Sequence, residues 1–167
     1  MEKIAQFYKV SEEQFINDWR AATGSSVEEA KSVYANIRLP RRATKGSAGY
    51  DFFAPESFTL VPNETILIPT GIRVMIEDGW VLQLYPRSGL GFRHRLQLDN
   101  TVGVIDSDYR GEIMVGLQNS GKEDYVIQPA DRIAQLMIAP VIQAQVELVD
   151  ELDETARGAG GFGSTGA

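Results

Sequence analysis

The chain has 167 residues, 43% of them hydrophobic, and a formal net charge of −7; this suits one domain with a core of its own and excludes wholesale disorder. Cysteine is absent and His94 is the only histidine, which excludes disulfides, thiolate catalysis and cysteine-ligated zinc and argues against a histidine-driven triad. There is no signal-peptide pattern and no apolar run of the roughly 18 residues a membrane helix needs, so the expectation is a soluble, cytoplasmic protein with no membrane partner.

Taken in chain order, residues 3–10 (KIAQFYKV) read as an edge strand. Residues 11–23 read as a helix, with Ser11 as its cap, Gln14 completing a capping box, Phe15, Ile16 and Trp19 on one face, and Gly24 ending it. Residues 25–37 read as a second helix, with Val27, Ala30, Val33, Tyr34 and Ile37 on a shared face. From residue 37 onward, short apolar runs alternate with turn residues. TILIPTGIRVMI (65–76), WVLQLYP (80–86), EIMVGLQNSG (112–121), DYVIQ (124–128) and RIAQLMIAPVIQ (132–143) are the predicted strands. Their spacing argues for an antiparallel β-sandwich or barrel. ELVDELDET (147–155) reads as a polar tether leading away from the core.

Without thiols and with a lone imidazole, hydrolytic chemistry must use carboxylates, a hard metal ion or both. Asp51 follows a Gly-Ser-Ala-Gly turn, which is equally the start of a plain strand. Arg87, Ser88 and Gly89 offer a guanidinium, a hydroxyl and an unobstructed backbone N–H in succession, the donor types that grip phosphate oxygens; a strand-ending turn is the alternative. Asp106 and Asp108 stand two apart, either as a functional pair or as a β-turn. Asn100 has the donor and acceptor that reading a pyrimidine edge requires, and Tyr109 has a flat face for a sugar or base. Arg132 and Gln135 interrupt an apolar strand and need polar partners. The acidic balance opposes binding to a nucleic-acid polymer, and RLPRR (38–42) and RHR (93–95) read as solvated surface. The final RGAGGFGSTGA (157–167) has five glycines, Arg157, Phe162, Ser164 and Thr165. It lacks the Lys-Ser/Thr ending of a P-loop and reads as a linker or as a lid ordered by a ligand.

The segments AGYDFFA, PRSGLG, NTVGVIDSDYRGEI, RIAQL and RGAGGFGSTG together resemble the five motifs of the trimeric dUTPase family, in the family's order, over residues 37–167. The resemblance implies an all-β subunit of jelly-roll-like, β-clip form covering 1–156, with a flexible arm at 157–167. It implies a homotrimer whose active sites are shared between subunits, with Mg²⁺ as cofactor and dUTP as substrate, cleaved to dUMP and pyrophosphate. Carried over by position, Asp106 is the general base for the attacking water. Arg87, Ser88, Gly89 and Gln135 bind phosphates, and Asp51 holds hydrated Mg²⁺, mainly through water. Asn100, Gly103, Val104 and Ile105 read uracil, while Tyr109 and Met114 enclose the deoxyribose. From the arm, Arg157 meets the γ-phosphate, Phe162 stacks on uracil, and Gly163, Ser164 and Thr165 wrap the phosphates.

One departure stands out: residues 11–36 read as a helical insertion that the motifs do not need, expected to pack on the subunit rather than recruit a partner. Two rival functions share the pattern. A dCTP deaminase of the same fold needs a catalytic glutamate where this chain has Gly116. A dUTP-sensing regulatory module would bind without needing turnover.

Overall fold

The computed structural model describes residues 3–161. Eleven strands and three helices run in the order β1 (Ala5–Lys9), α1 (Glu12–Thr23), α2 (Val27–Asn36), β2 (Tyr50–Phe53), β3 (Phe58–Leu60), β4 (Thr65–Pro69), β5 (Ile72–Ile76), β6 (Trp80–Pro86), α3 (Ser88–His94), β7 (Leu96–Leu98), β8 (Gly103–Ile105), β9 (Met114–Asn119), β10 (Tyr125–Ile127) and β11 (Arg132–Pro140). All pairings are antiparallel, so this is an all-β subunit with short helices, as the pattern predicts.

The sheet that matters for function has the order β2-β11-β6-β8. In β11, Gln135 stands opposite Asp51 on one side and Tyr85 on the other. On the far edge, Gly103 to Ile105 pair with Leu84 to Leu82. One sheet therefore sets Asp51, Gln135, the Arg87 corner and the 103–105 strand in adjacent lanes. Phe52, Leu82, Leu84, Ile133 and Leu136 face the core; Leu82 and Leu84 alternate as pleating requires, while a register shift between Arg132 and Ala134 buries Ile133 as well as Leu136.

The helical insertion packs on its own subunit. Phe15 and Trp19 are buried and stack with ring centroids 5.4 Å apart, and Trp19 meets Phe58 of β3 at 5.7 Å. Burying two aromatics of this size is worth several kcal/mol on the ~25 cal/mol/Å² scale, enough to hold the pair of helices against the sheets. Ser11 caps α1 by accepting from the Gln14 N–H at 3.2 Å, but the reciprocal half of the box forms only on α2. There Ser26 Oγ accepts from Glu29 N–H at 3.2 Å, and Glu29 accepts from Ser26 N–H at 2.8 Å.

Three boundaries depart from the sequence reading. The run 65–76 is two strands, broken at Thr70-Gly71. Gly71 has φ +71°, and a Cβ there would run into the Ile37 side chain, so only glycine fits. Strand 132–143 stops at Pro140; residues 141–161 form neither strand nor helix. The Arg87-Ser88-Gly89 corner opens an unexpected short helix, α3, closed by Arg95 at φ 60°, whose N–H donates back to Gly91 and Leu90. No helix among the described residues is long and apolar enough to cross a membrane.

Candidate active site

Two polar regions flank the β2-β11-β6-β8 sheet. At the first, Asp51 is buried and its carboxylate is held between two guanidiniums: Arg87 Nη1 donates to Oδ1, and Arg132 Nη1 reaches Oδ2 at 3.5 Å. Gln135 Nε2 donates to the Pro86 carbonyl at 3.0 Å and so fixes the end of β6 from which Arg87 projects. Gly49 lets the backbone approach Gln135: a Cβ there would lie 3.3 Å from Gln135 Cβ. Ser88 and Gly89 are exposed in the first turn of α3, where backbone N–H groups have no intrahelical acceptor. Arg87, Gly89 and Arg132 line a cavity of about 250 Å³ together with Arg93 and His94. The arrangement can accept an anion of several charges: cationic forks are already aimed, and one buried acid keeps them in place.

The second region is a cavity of about 260 Å³ lined by Asn100, Gly103, Val104, Ile105, Asp106, Tyr109 and Met114, with Leu84, Glu112 and Ile113 completing it. Its wall is a stapled turn. Tyr109 N–H donates to the Asp106 carbonyl at 3.2 Å, and Arg110 Nη1 donates to the carbonyls of Ser107 and Tyr109 at 2.6 and 2.8 Å. Tyr109 OH donates to the Glu112 carbonyl at 3.0 Å, which lays the ring back over Gly111. Gly111 has no room for a Cβ beneath that ring. Asp106 is left exposed at the rim. Gly103 sits hard against Leu84, with 3.2 Å to a would-be Cβ, and beside the Asn100 amide. A cavity of this size, edged by an amide and backbone groups, can take a flat heterocycle that presents both donors and acceptors.

The six residues expected around the base and sugar thus share one cavity with Asp106, and the phosphate-type residues share the other region. Among the described residues, none lines both. Arg157 hydrogen-bonds within its own turn, Nε to the Gly160 carbonyl at 2.9 Å; Phe162, Gly163, Ser164 and Thr165 lie outside the described residues. For Mg²⁺, the described residues offer no cluster of three or more ligating side chains, and Asp51 is already ion-paired. The donor set therefore does not fit a caged ion. It fits one that arrives on a polyphosphate and meets Asp51 through water, since Mg²⁺ keeps several waters.

The chain matches the dUTPase family model over residues 35–166. The chain belongs to the dUTPase family. It is similar to deoxyuridine 5'-triphosphate nucleotidohydrolase of Hahella chejuensis, 53% identical over 139 residues that cover 81% of this chain and 91% of that relative. The corresponding protein of Aeromonas salmonicida is 51% identical over 131 residues, covering 77% and 86%. Among solved structures, the dUTPase of Staphylococcus bacteriophage 80alpha with dUpNHpp superposes with TM-score 0.78 at 26% identity, covering 99% of this chain and all of that one. A mutant dUTPase of phage phi11, described with a structural Mg(II) ion, gives TM-score 0.70 at 25% identity, covering 91% of this chain and all of that one.

Glu112 also lines the cavity, and its one signal in the sequence is an acid abutting the apolar run that becomes β9. It is buried, and its Oε1 accepts from the Gly71 N–H while Oε2 has no partner among the described residues. Burial first, then the neighbouring Asp18 carboxylate on α1, push its pKa up from 4.5 to about 7 against the lowering effect of the Gly71 bond. The folded state therefore holds this proton more tightly than the unfolded chain. The resulting stability is full below pH 4.5 and is lost as pH rises through about 7, an effect of about 2 kcal/mol allowing for screening. Urea unfolding of Glu112→Gln between pH 5 and 8 is expected to show this pH-dependent loss removed, because the amide mimics the protonated acid. An unchanged pH slope in the variant would assign the effect elsewhere.

Proposed function

We propose that the chain hydrolyses dUTP to dUMP and pyrophosphate, removing dUTP from the precursors of DNA and supplying dUMP for dTMP synthesis. The carrying observation is the 260 Å³ cavity that gathers Asn100, Gly103, Asp106, Tyr109 and Met114 in a family-matched segment. Asn100 and the backbone of Gly103 to Ile105 read uracil; a thymine methyl has no room in the slot, and cytosine presents the wrong donors. Tyr109 packs on the deoxyribose and leaves no space for a 2′-hydroxyl, with Met114 lining the same wall. Asp106 takes the proton of a water that attacks the α-phosphorus in line; the α–β bridging bond breaks and its electron pair leaves on pyrophosphate. Arg87, Ser88, Gly89 and Gln135 hold the phosphates, and Arg157 and the residues 162–165 close over them. Asp51 is the residue that would hold hydrated Mg²⁺, which when bound neutralises triphosphate charge.

The base-binding cavity and the phosphate corner are separate in one chain, which supports sites assembled from several copies in a homotrimer. The segment beyond β11 supports the same assembly: Ile142, Leu148 and Leu152 are 85% or more exposed, and apolar side chains of this kind call for a neighbour to cover them. In this reading residues 1–156 form one domain and 157–167 an arm that serves a neighbouring site, and the enzyme works on the cytoplasmic nucleotide pool.

A second reading has a specific support. The fold shared with the phage 80alpha structures matters because one of those is described as belonging to phage dUTPases that control transfer of virulence genes. A regulatory role gated by nucleotide occupancy would use α1 and α2 as a partner surface. The deciding experiment is a specificity panel: dUTP, dCTP, dTTP and UTP, each with and without Mg²⁺, read by pyrophosphate release. Turnover confined to dUTP with Mg²⁺ fits hydrolysis; comparable turnover of dCTP or UTP would contradict the assigned pocket.

A further inference from the structure

RLPRR (38–42) reads as solvated surface in the sequence, but the fold gives it a cavity. Backbone bonds between Arg41 and Asp51, N–H to carbonyl in both directions at 2.8 and 3.3 Å, dock the segment beside β2. Arg38, Arg41, Arg42 and Arg132 then surround a space of about 520 Å³ with Asp51 and Phe53. Asp51 is the one acid lining it, and its carboxylate is already shared by Arg87 and Arg132. Among the described residues, Arg38, Arg41 and Arg42 have no carboxylate partner.

Guanidiniums gathered without acids repel one another, and in a chain of net charge −7 acids are not scarce. The heads are nonetheless oriented: Arg41 lies 5.6 Å from the Phe53 ring centroid and Arg42 5.6 Å from that of Tyr50. Aromatic faces position a guanidinium without neutralising it. What this leaves open is the role of the anion, and the planar forks match phosphate oxygens in pairs.

We propose that Arg38, Arg41, Arg42 and Arg132 form a pyrophosphate-binding site beside the phosphate corner. Four guanidiniums less one carboxylate leave a lining charge of +3, which a diphosphate balances better than a single phosphate of about −2. Arg132 lines this cavity and also the one at the Arg87–Gly89 corner, so a diphosphate released at the corner passes to the arginines across a shared side chain. The choice of pyrophosphate rests on the proposed hydrolysis; the demand for a polyanion rests on the cavity alone.

Calorimetric titration of pyrophosphate into the nucleotide-free protein tests this. Arg38→Ala, at an exposed loop position, and the double variant Arg41→Ala, Arg42→Ala are each expected to weaken binding about tenfold or more, and inorganic phosphate is expected to bind wild type more weakly than pyrophosphate. Unchanged pyrophosphate affinity in both variants overturns the site. Equal affinity for phosphate and pyrophosphate overturns the diphosphate assignment. A smaller assembly in solution with pyrophosphate binding intact also overturns it, giving the arginines to a contact between copies. Absence of dUTP turnover in wild type would sink the proposed hydrolysis while leaving this binding result to be read independently.

Discussion

Asp106→Asn lowers kcat for dUTP by about a hundred- to ten-thousand-fold, the range a positioned general base supplies, while nucleotide affinity stays within about threefold, a change under ~1 kcal/mol. The asparagine keeps the shape of the side chain but cannot take a proton from water. Binding persists because Asn100, Gly103, Val104, Ile105, Tyr109 and Met114 still line the cavity. Single-turnover pyrophosphate release, paired with titration of a non-hydrolysable dUTP analogue, separates the two effects. Full turnover in the variant would move the base elsewhere, with Asp108, two residues on and also exposed, the next candidate.

Deleting residues 157–167 removes at least about 90% of activity, equivalent to ~1.4 kcal/mol or more of transition-state stabilisation, and leaves the unfolding midpoint and assembly mass unchanged. Among its described residues, 157–161, none belongs to the buried core, so a loss of fold is not expected. Activity has more at stake: in the proposed site the arm brings Arg157 to the γ-phosphate and the Phe162 ring to uracil. Ordering a glycine-rich segment costs backbone entropy of about 1–2 kcal/mol per residue, which those proposed contacts would have to offset. Steady-state turnover beside a thermal melt checks both halves. Unimpaired turnover after deletion would mean that the segment is a linker.

The parts of this molecule that were legible in its sequence are those built from local chemistry. The pocket wall from Asn100 to Met114 is contiguous, and its turn is stapled by Arg110 to carbonyls one and three residues away. The insertion helices announced themselves by caps and by Phe15 and Trp19 at helical spacing. What was illegible depended on distant partners. The break at Gly71 divides a stretch whose apolar residues continue on both sides, and it is set by Glu112, 41 residues away, and by Thr70 Oγ1 donating to the Ile113 carbonyl at 2.6 Å. The helix α3 contains Gly89 and Gly91, which weaken helix propensity, and has no apolar stripe to betray it. The clasp on Asp51 joins residues 36 and 81 positions away, and the arginine cavity follows from that clasp.

The most direct measurement is pyrophosphate and dUMP formation by the 167-residue chain supplied with dUTP and Mg²⁺. The account predicts both products in equal amounts and continued turnover. Tight, saturable dUTP binding with neither product formed would contradict it and transfer the cavity to a sensing role.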